Sequence, residues 1–171
     1  GHGGRNFALA ALPEGKKDIV DEFYAHYCRI HVACKNEHTH PFPGEAECLS
    51  ALKKAGMRLA VVTNKSQAAA DVLAGTLLKE YGFDIVQGNR PEFPVKPDPA
   101  STLFVLEKLG VSPAEAAFVG DGDTDVQTAK NAGMRAVSVL WGYRSRAQLE
   151  EAGAKVFAED FSELLRILQK M

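Results

Sequence analysis

With 171 residues, 46% of them apolar, the chain can build one ordinary core, or one domain with a small appendage. Its net charge is −2 with no basic block, which points away from nucleic acid as a partner. No apolar run approaches the length of a membrane span and no signal-peptide pattern opens the chain, so the expectation is a cytoplasmic protein with no membrane partner.

The chain starts with the glycine-rich Gly1 to Gly4 and then a short helix over 6–12, ended by Pro13 and Gly15. Residues 16–35 give the longest helical signal of this part, with Ile19, Phe23, Tyr27 and Ile30 recurring at helical spacing. Residues 38–44, with two prolines, read as a linker, and the composition shifts there from all-helical to alternating strand and helix. A boundary is expected near Thr39, with a helical unit over 1–39 and an α/β unit over 40–171.

The three cysteines, Cys28, Cys34 and Cys48, have no paired spacing and suit a reducing compartment. Cys28, His31, Cys34 and His38 share a helix face if the helix runs that far. Ligands along one helix do not close a tetrahedron without a second element, so buried thiols and rim histidines are the preferred reading over zinc.

Beyond the linker, the pattern predicts a helix over 45–55 and a strand over 58–62 ending in Thr63-Asn64-Lys65. A helix over 67–81, a strand over 83–86 and a proline-rich loop holding Lys96-Pro97-Asp98-Pro99 follow. A helix over 100–109 leads to an apolar strand over 116–119, which breaks at Gly120 into Asp121-Gly122-Asp123-Thr124-Asp125. The next helix puts Val126, Ala129 and Ala132 on one face and stops at Gly133. A strand over 135–140, the loop Trp141-Gly142-Tyr143-Arg144, a helix over 145–152, a short strand over 155–158 and a helix over 161–168 close the chain. Such alternation means right-handed crossovers and a mostly parallel sheet, with the loops after the strands on one edge.

Three of those loops carry useful chemistry. Thr63 and Asn64 offer a hydroxyl and amides at an expected helix N-terminus, which suits an anion. Lys96 brings a positive charge on a loop stiffened by Pro94, Pro97 and Pro99. Asp121 and Asp125, four apart, can face one centre. Crowded carboxylates need a compensating cation, and oxygen ligands suit Mg2+. Helix capping by Asp123 or Thr124 is the plain alternative. Taken together, the loops supply positioning and charge stabilisation for phosphoryl transfer.

These motifs resemble those of the haloacid dehalogenase superfamily, in its phosphoglycolate phosphatase-like branch. Val61-Val62-Thr63-Asn64-Lys65 is similar to the second motif, Lys96-Pro97-Asp98-Pro99 to the third, and Val119-Gly120-Asp121-Gly122-Asp123-Thr124-Asp125 to the fourth. The resemblance implies a three-layer Rossmann-like α/β core with a partial α-helical cap at the N-terminus. It implies that Thr63 and Asn64 hold phosphate, that Lys96 steadies phosphate and nucleophile, that Asp121 ligates Mg2+ and that Asp125 completes or orients the site. A substrate carboxylate would meet His2 or Arg5 of the cap. The implied reaction is Mg2+-dependent hydrolysis of a small phosphorylated metabolite, 2-phosphoglycolate first, by a monomer or homodimer. A non-catalytic phosphate- or partner-binding relative is one rival, and a dehalogenase proper is another that the acid-rich loop argues against. One departure stands out. The family's nucleophile is the first Asp of an Asp-x-Asp motif ending the first strand, and no such motif lies upstream of Thr63. The first strand is thus expected to be missing between the strand ending at Thr63 and the one ending at Gly120.

Overall fold

The structure, a computed structural model, describes residues 3–34 and 38–171. Two helices come first, α1 (Gly4–Ala11) and α2 (Val20–Ala33), joined by a 3-10 turn over Glu14–Ile19. The single helix expected over 16–35 is therefore divided, because Lys16 leaves helical backbone angles within that turn. The two helices share a small core of Ala8, Leu12 and Val20, with Leu9 and Tyr24 packed against it.

Strand and helix then alternate: α3 (Glu45–Lys54), β1 (Ala60–Ser66), α4 (Gln67–Gly75), β2 (Ile85–Asn89), α5 (Ala100–Leu109), β3 (Ala117–Gly120), α6 (Asp123–Ala132), β4 (Arg135–Val139), α7 (Arg146–Glu151), β5 (Phe157–Ala158) and α8 (Phe161–Leu168). β1 runs on through Thr63, Asn64 and Lys65 rather than ending before them, with an irregular register between Val62 and Ser66. The helix expected over 67–81 stops at Gly75, and a short 3-10 turn, Lys79–Tyr81, follows.

Among the described residues all strand pairs are parallel, and they form two sheets instead of one. The order is β2-β1 in one and β3-β4-β5 in the other. Among the described residues β1 pairs only with β2, and β3 pairs β4 but not β1. The break falls between β1 and β3, where the resemblance expects a further strand. Its effect shows in burial. β1 is half-buried along its whole length and Val119 of β3 is 37% exposed, although parallel strands are normally covered on both faces.

The larger sheet carries the main core. α3 and α8 cover one face through Cys48, Leu52 and Leu164 against Val137, Val139 and Ala158. Val126 of α6 and Leu149 of α7 build a second cluster with Ala154, to which Leu140 and Phe157 add. This is the helix–sheet–helix layering of an α/β fold. Among the described residues, no helix is long and apolar enough to cross a membrane.

Asp84 ties the start of β1 to the start of β2. Its carboxylate accepts the Leu59 N–H at 2.8 Å and Arg58 Nε at 3.0 Å, and Lys53 Nζ lies 3.5 Å away. The Leu59 N–H, with Arg58 and Lys53 behind it, holds the carboxyl below its ordinary pKa. The stability it contributes is therefore present above the ordinary carboxylate range and lost as pH falls through the lowered value. Asp84→Asn should reduce unfolding free energy by about 1 kcal/mol at neutral pH, and by much less in acid, as read by urea denaturation at both.

Candidate active site

Thr63, Asn64 and Lys96 come together at one sheet edge. Asn64 clamps the lysine's main chain at both ends: its Nδ2 donates to the Lys96 carbonyl at 3.2 Å and its Oδ1 accepts the Lys96 N–H at 2.8 Å. The sequence places Asn64 among phosphate ligands. In the structure its amide is a strut that fixes where Lys96 leaves the loop. Thr63 Oγ1 accepts the Lys65 N–H at 3.1 Å, and a hydroxyl that accepts still has its proton to donate. Both residues lie inside β1, and α4 begins only at Gln67. The helix-dipole argument for an anion at Thr63 therefore does not apply; side-chain groups and Lys96 must carry it.

Lys96 reaches into the break between the sheets. Its Nζ donates to the Val62 carbonyl of β1 at 3.0 Å and to Asp125 Oδ1 at 2.7 Å, and stands 5.2 Å from the centre of the Phe118 ring of β3. The lysine and aspartate side chains are only 11% and 12% exposed. One ammonium thus joins a strand of the first sheet to the helix that follows β3 of the second.

The three acids of the fourth motif are separated by their partners. Asp125 Oδ2 accepts the Gly122 N–H at 3.0 Å, which caps α6, so the capping role expected for Asp123 or Thr124 belongs to Asp125. Asp123 pairs with Arg144 Nε at 3.3 Å. Asp121 Oδ2 accepts the Tyr143 N–H at 2.9 Å. Both glycines beside these carboxylates are sterically required: a Cβ on Gly120 would collide with Asp125, and one on Gly142 with Asp121. The loop 141–144 is therefore part of the site. Residue type gave no sign of this role, because a backbone N–H donor leaves no mark on residue identity.

The donors fit a hard cation. Asp121 and Asp125 offer oxygens alone, and among the described residues no three His, Cys, Asp or Glu side chains gather into a metal-holding group. Mg2+ uses one or two carboxylates, completed by waters and phosphate oxygens. Cys28 and His31 lie on α2, which stops at Ala33, so Cys34 and His38 do not continue its face as the sequence reading supposed.

His31 has another role. Its Nδ1 lies 3.3 Å from Lys65 Nζ, joining α2 to β1. Burial pushes the Lys65 ammonium down, against a smaller upward pull from Cys34. Burial first, and Lys65 second, push the His31 imidazole down. Of the two residues expected to meet a substrate carboxylate, His2 lies outside the described residues. Arg5 is half-exposed, and its Nε pairs with Asp21 at 2.7 Å.

Gly142→Ala should push Asp121 off the Tyr143 amide and destabilise the fold by about 1–3 kcal/mol, measurable as a lowered denaturation midpoint. An unchanged midpoint would mean the 141–144 loop is free to move away from Asp121.

Residues 6–139 match the haloacid dehalogenase-like hydrolase family. The chain is 35% identical over 128 residues to a phosphoglycolate phosphatase of Aquifex aeolicus (strain VF5), covering 75% of this chain and 58% of that protein. It is 34% identical over 133 residues to a phosphoglycolate phosphatase of Pseudomonas savastanoi pv. phaseolicola, covering 78% of this chain and 49% of that one. The chain thus spans about half the length of the curated relatives it matches. A crystal structure from Lactobacillus delbrueckii subsp. bulgaricus, assigned as a phosphoglycolate phosphatase, superposes with a TM-score of 0.81 at 31% identity, covering 93% of this chain and 65% of that chain. A haloacid dehalogenase-like hydrolase of Streptococcus pneumoniae, at 20% identity, shares the fold with a TM-score of 0.77 over 97% of this chain and 76% of its own. The chain belongs to the haloacid dehalogenase-like hydrolase family, in its phosphoglycolate phosphatase-like branch.

Proposed function

We propose that the chain supplies the phosphate- and metal-binding part of a Mg2+-dependent phosphomonoesterase acting on a small phosphorylated metabolite, with 2-phosphoglycolate the first candidate. The observation that carries this reading is the placement of Lys96 Nζ between the Val62 carbonyl and Asp125, with its main chain clamped by Asn64. A held ammonium in a shielded site costs little reorganisation when a phosphoryl group arrives.

Each residue then has a role set by what it touches. Lys96 and the Thr63 hydroxyl take phosphate oxygens. Asn64 acts through Lys96 as a positioning residue. Asp121 is the first Mg2+ ligand, oriented by the Tyr143 N–H. Asp125, with one oxygen on Lys96 and the other on the Gly122 N–H, fixes the spacing between the lysine and the metal site. When bound, Mg2+ neutralises charge on the phosphoryl oxygens.

None of these groups attacks phosphorus. The resemblance assigns that step to an aspartate on the first strand, giving an aspartyl-phosphate that water hydrolyses, with a second aspartate as acid and base. A strand pairing with both β1 and β3 would deliver those carboxylates beside Lys96. The 171 residues by themselves are therefore proposed to bind phosphate without turning it over.

Three measurements test this. Sulfate or tungstate soaked into crystals should lie within hydrogen-bond reach of Thr63 Oγ1 and Lys96 Nζ, and calorimetry should show Mg2+ affinity falling about tenfold or more in Asp121→Asn. An anion found elsewhere, or unchanged Mg2+ binding, would remove the assignment. The 171-residue polypeptide, verified by mass, should give no turnover of 2-phosphoglycolate with Mg2+. Turnover that disappears in Asp121→Asn would place the nucleophile among the carboxylates of this chain.

A further inference from the structure

The acids that follow β3 are spaced for a larger ion than Mg2+. Asp121, Asp123 and Asp125 alternate along the chain. Ca2+-binding loops place acids at the first, third and fifth positions in the same way, to gather about 6–8 oxygens around the ion. Mg2+ is smaller, takes one or two carboxylates and keeps several waters. By spacing alone, this segment suits Ca2+ as well as it suits Mg2+.

The fold takes the three acids apart. Asp125 has one oxygen on Lys96 Nζ and the other on the Gly122 N–H. The other two acids are held by consecutive residues of one loop. Tyr143 donates its N–H to Asp121 Oδ2 at 2.9 Å, and Arg144 Nε stands 3.3 Å from Asp123 Oδ1. With Oδ2 on an N–H, Asp121 meets a cation through its other oxygen. That geometry suits Mg2+ and works against the two-oxygen chelation that Ca2+ uses. The guanidinium on Asp123 turns a further carboxylate onto a protein donor and offsets its charge.

The loop holds its place because both ends are fixed. The Trp141 ring lies 4.6 Å from the Phe161 ring of α8. At the other end Ser145 opens α7 with a reciprocal cap: its N–H donates to Gln148 Oε1 at 3.0 Å and its Oγ accepts the Gln148 N–H at 3.4 Å. Between them the Gly142 backbone lies directly against Asp121, with no room for a Cβ. Arg144 is the side chain by which this loop grips the acidic segment.

We propose that the 141–144 loop biases the metal site toward Mg2+ and against Ca2+, with Arg144 keeping the Asp123 carboxylate out of the coordination sphere. The inference rests on the Mg2+ site at Asp121 proposed above. Arg144 is then a positioning residue, acting on metal choice through Asp123 without touching the ion.

Calorimetric titrations of the 171-residue chain with MgCl2 and with CaCl2 test it, with the thermal midpoint of each metal-free variant measured alongside. Arg144→Ala should raise the affinity for Ca2+ relative to Mg2+ about tenfold or more, because an added carboxylate favours the larger ion. Should Arg144→Ala lower the midpoint, Arg144→Gln keeps most of the side chain, removes the charge and should shift the ratio the same way. Adding Asp123→Asn to either variant should return the ratio to its wild-type value. A loop that had merely loosened would leave the shift in place. An unchanged ratio in the Arg144 variants, or a shift that survives Asp123→Asn, would overturn the inference while Asp121-dependent Mg2+ binding stands. If the wild-type chain binds no Mg2+, or binds it equally well in Asp121→Asn, the functional reading above fails and takes this inference with it.

Discussion

One ammonium group holds the two halves of this molecule in register at the site. Lys96 reaches the Val62 carbonyl on one sheet and Asp125 at the head of the helix that follows β3 in the other. Both charged side chains are nearly buried, and leaving one of such a pair uncompensated costs about 3–5 kcal/mol. The arrangement is over-determined from two sides. Asn64 fixes the lysine's backbone, and the Gly122 N–H fixes the aspartate's second oxygen.

The break that Lys96 spans also divides the packing. The β3-β4-β5 sheet owns the large apolar core, with Val137 and Val139 almost fully covered by α3 and α8. On the other side, β1 contributes no fully buried residue, and its support comes from α4 through Ala69 and Ala70 and from the Asp84 clamp. Asp121 and Asp125 therefore stand on the rigid half, and Thr63 and Asn64 on the half with the thinner core. The N-terminal helices meet that thinner half through a polar contact, His31 on Lys65.

The order of strands and helices was legible in the chain because it rests on local chemistry. Glycines end α5 and α6 in the left-handed conformation at Gly110 and Gly133, as the sequence expects. Val126, Ala129 and Ala132 are buried on one face of α6, as their spacing requires. The three chemically equipped segments, at Thr63, Lys96 and Asp121, were readable too, since a parallel α/β alternation puts the C-terminal ends of its strands on one edge. The gap in the sheet was expected from the resemblance alone, because no Asp-x-Asp motif lies upstream of Thr63.

Tertiary contacts decided the rest. Asn64 reads as a phosphate ligand from its motif, but only the approach of the 94–99 loop makes it the strut of Lys96. Three acids within five residues read as a cluster. Arg144, Tyr143 and Lys96, each arriving from a distant segment, pull them onto separate partners. The hydrogen bond from Arg90 Nε to Gln67 Oε1 was invisible in sequence, because the two residues lie on different elements and no local pattern joins them. Residue type and spacing determined which groups the chain carries and which edge they share. The packing of elements remote in sequence decided which of those groups touch, because hydrogen bonds and ion pairs depend on distances of a few ångströms that no local periodicity encodes.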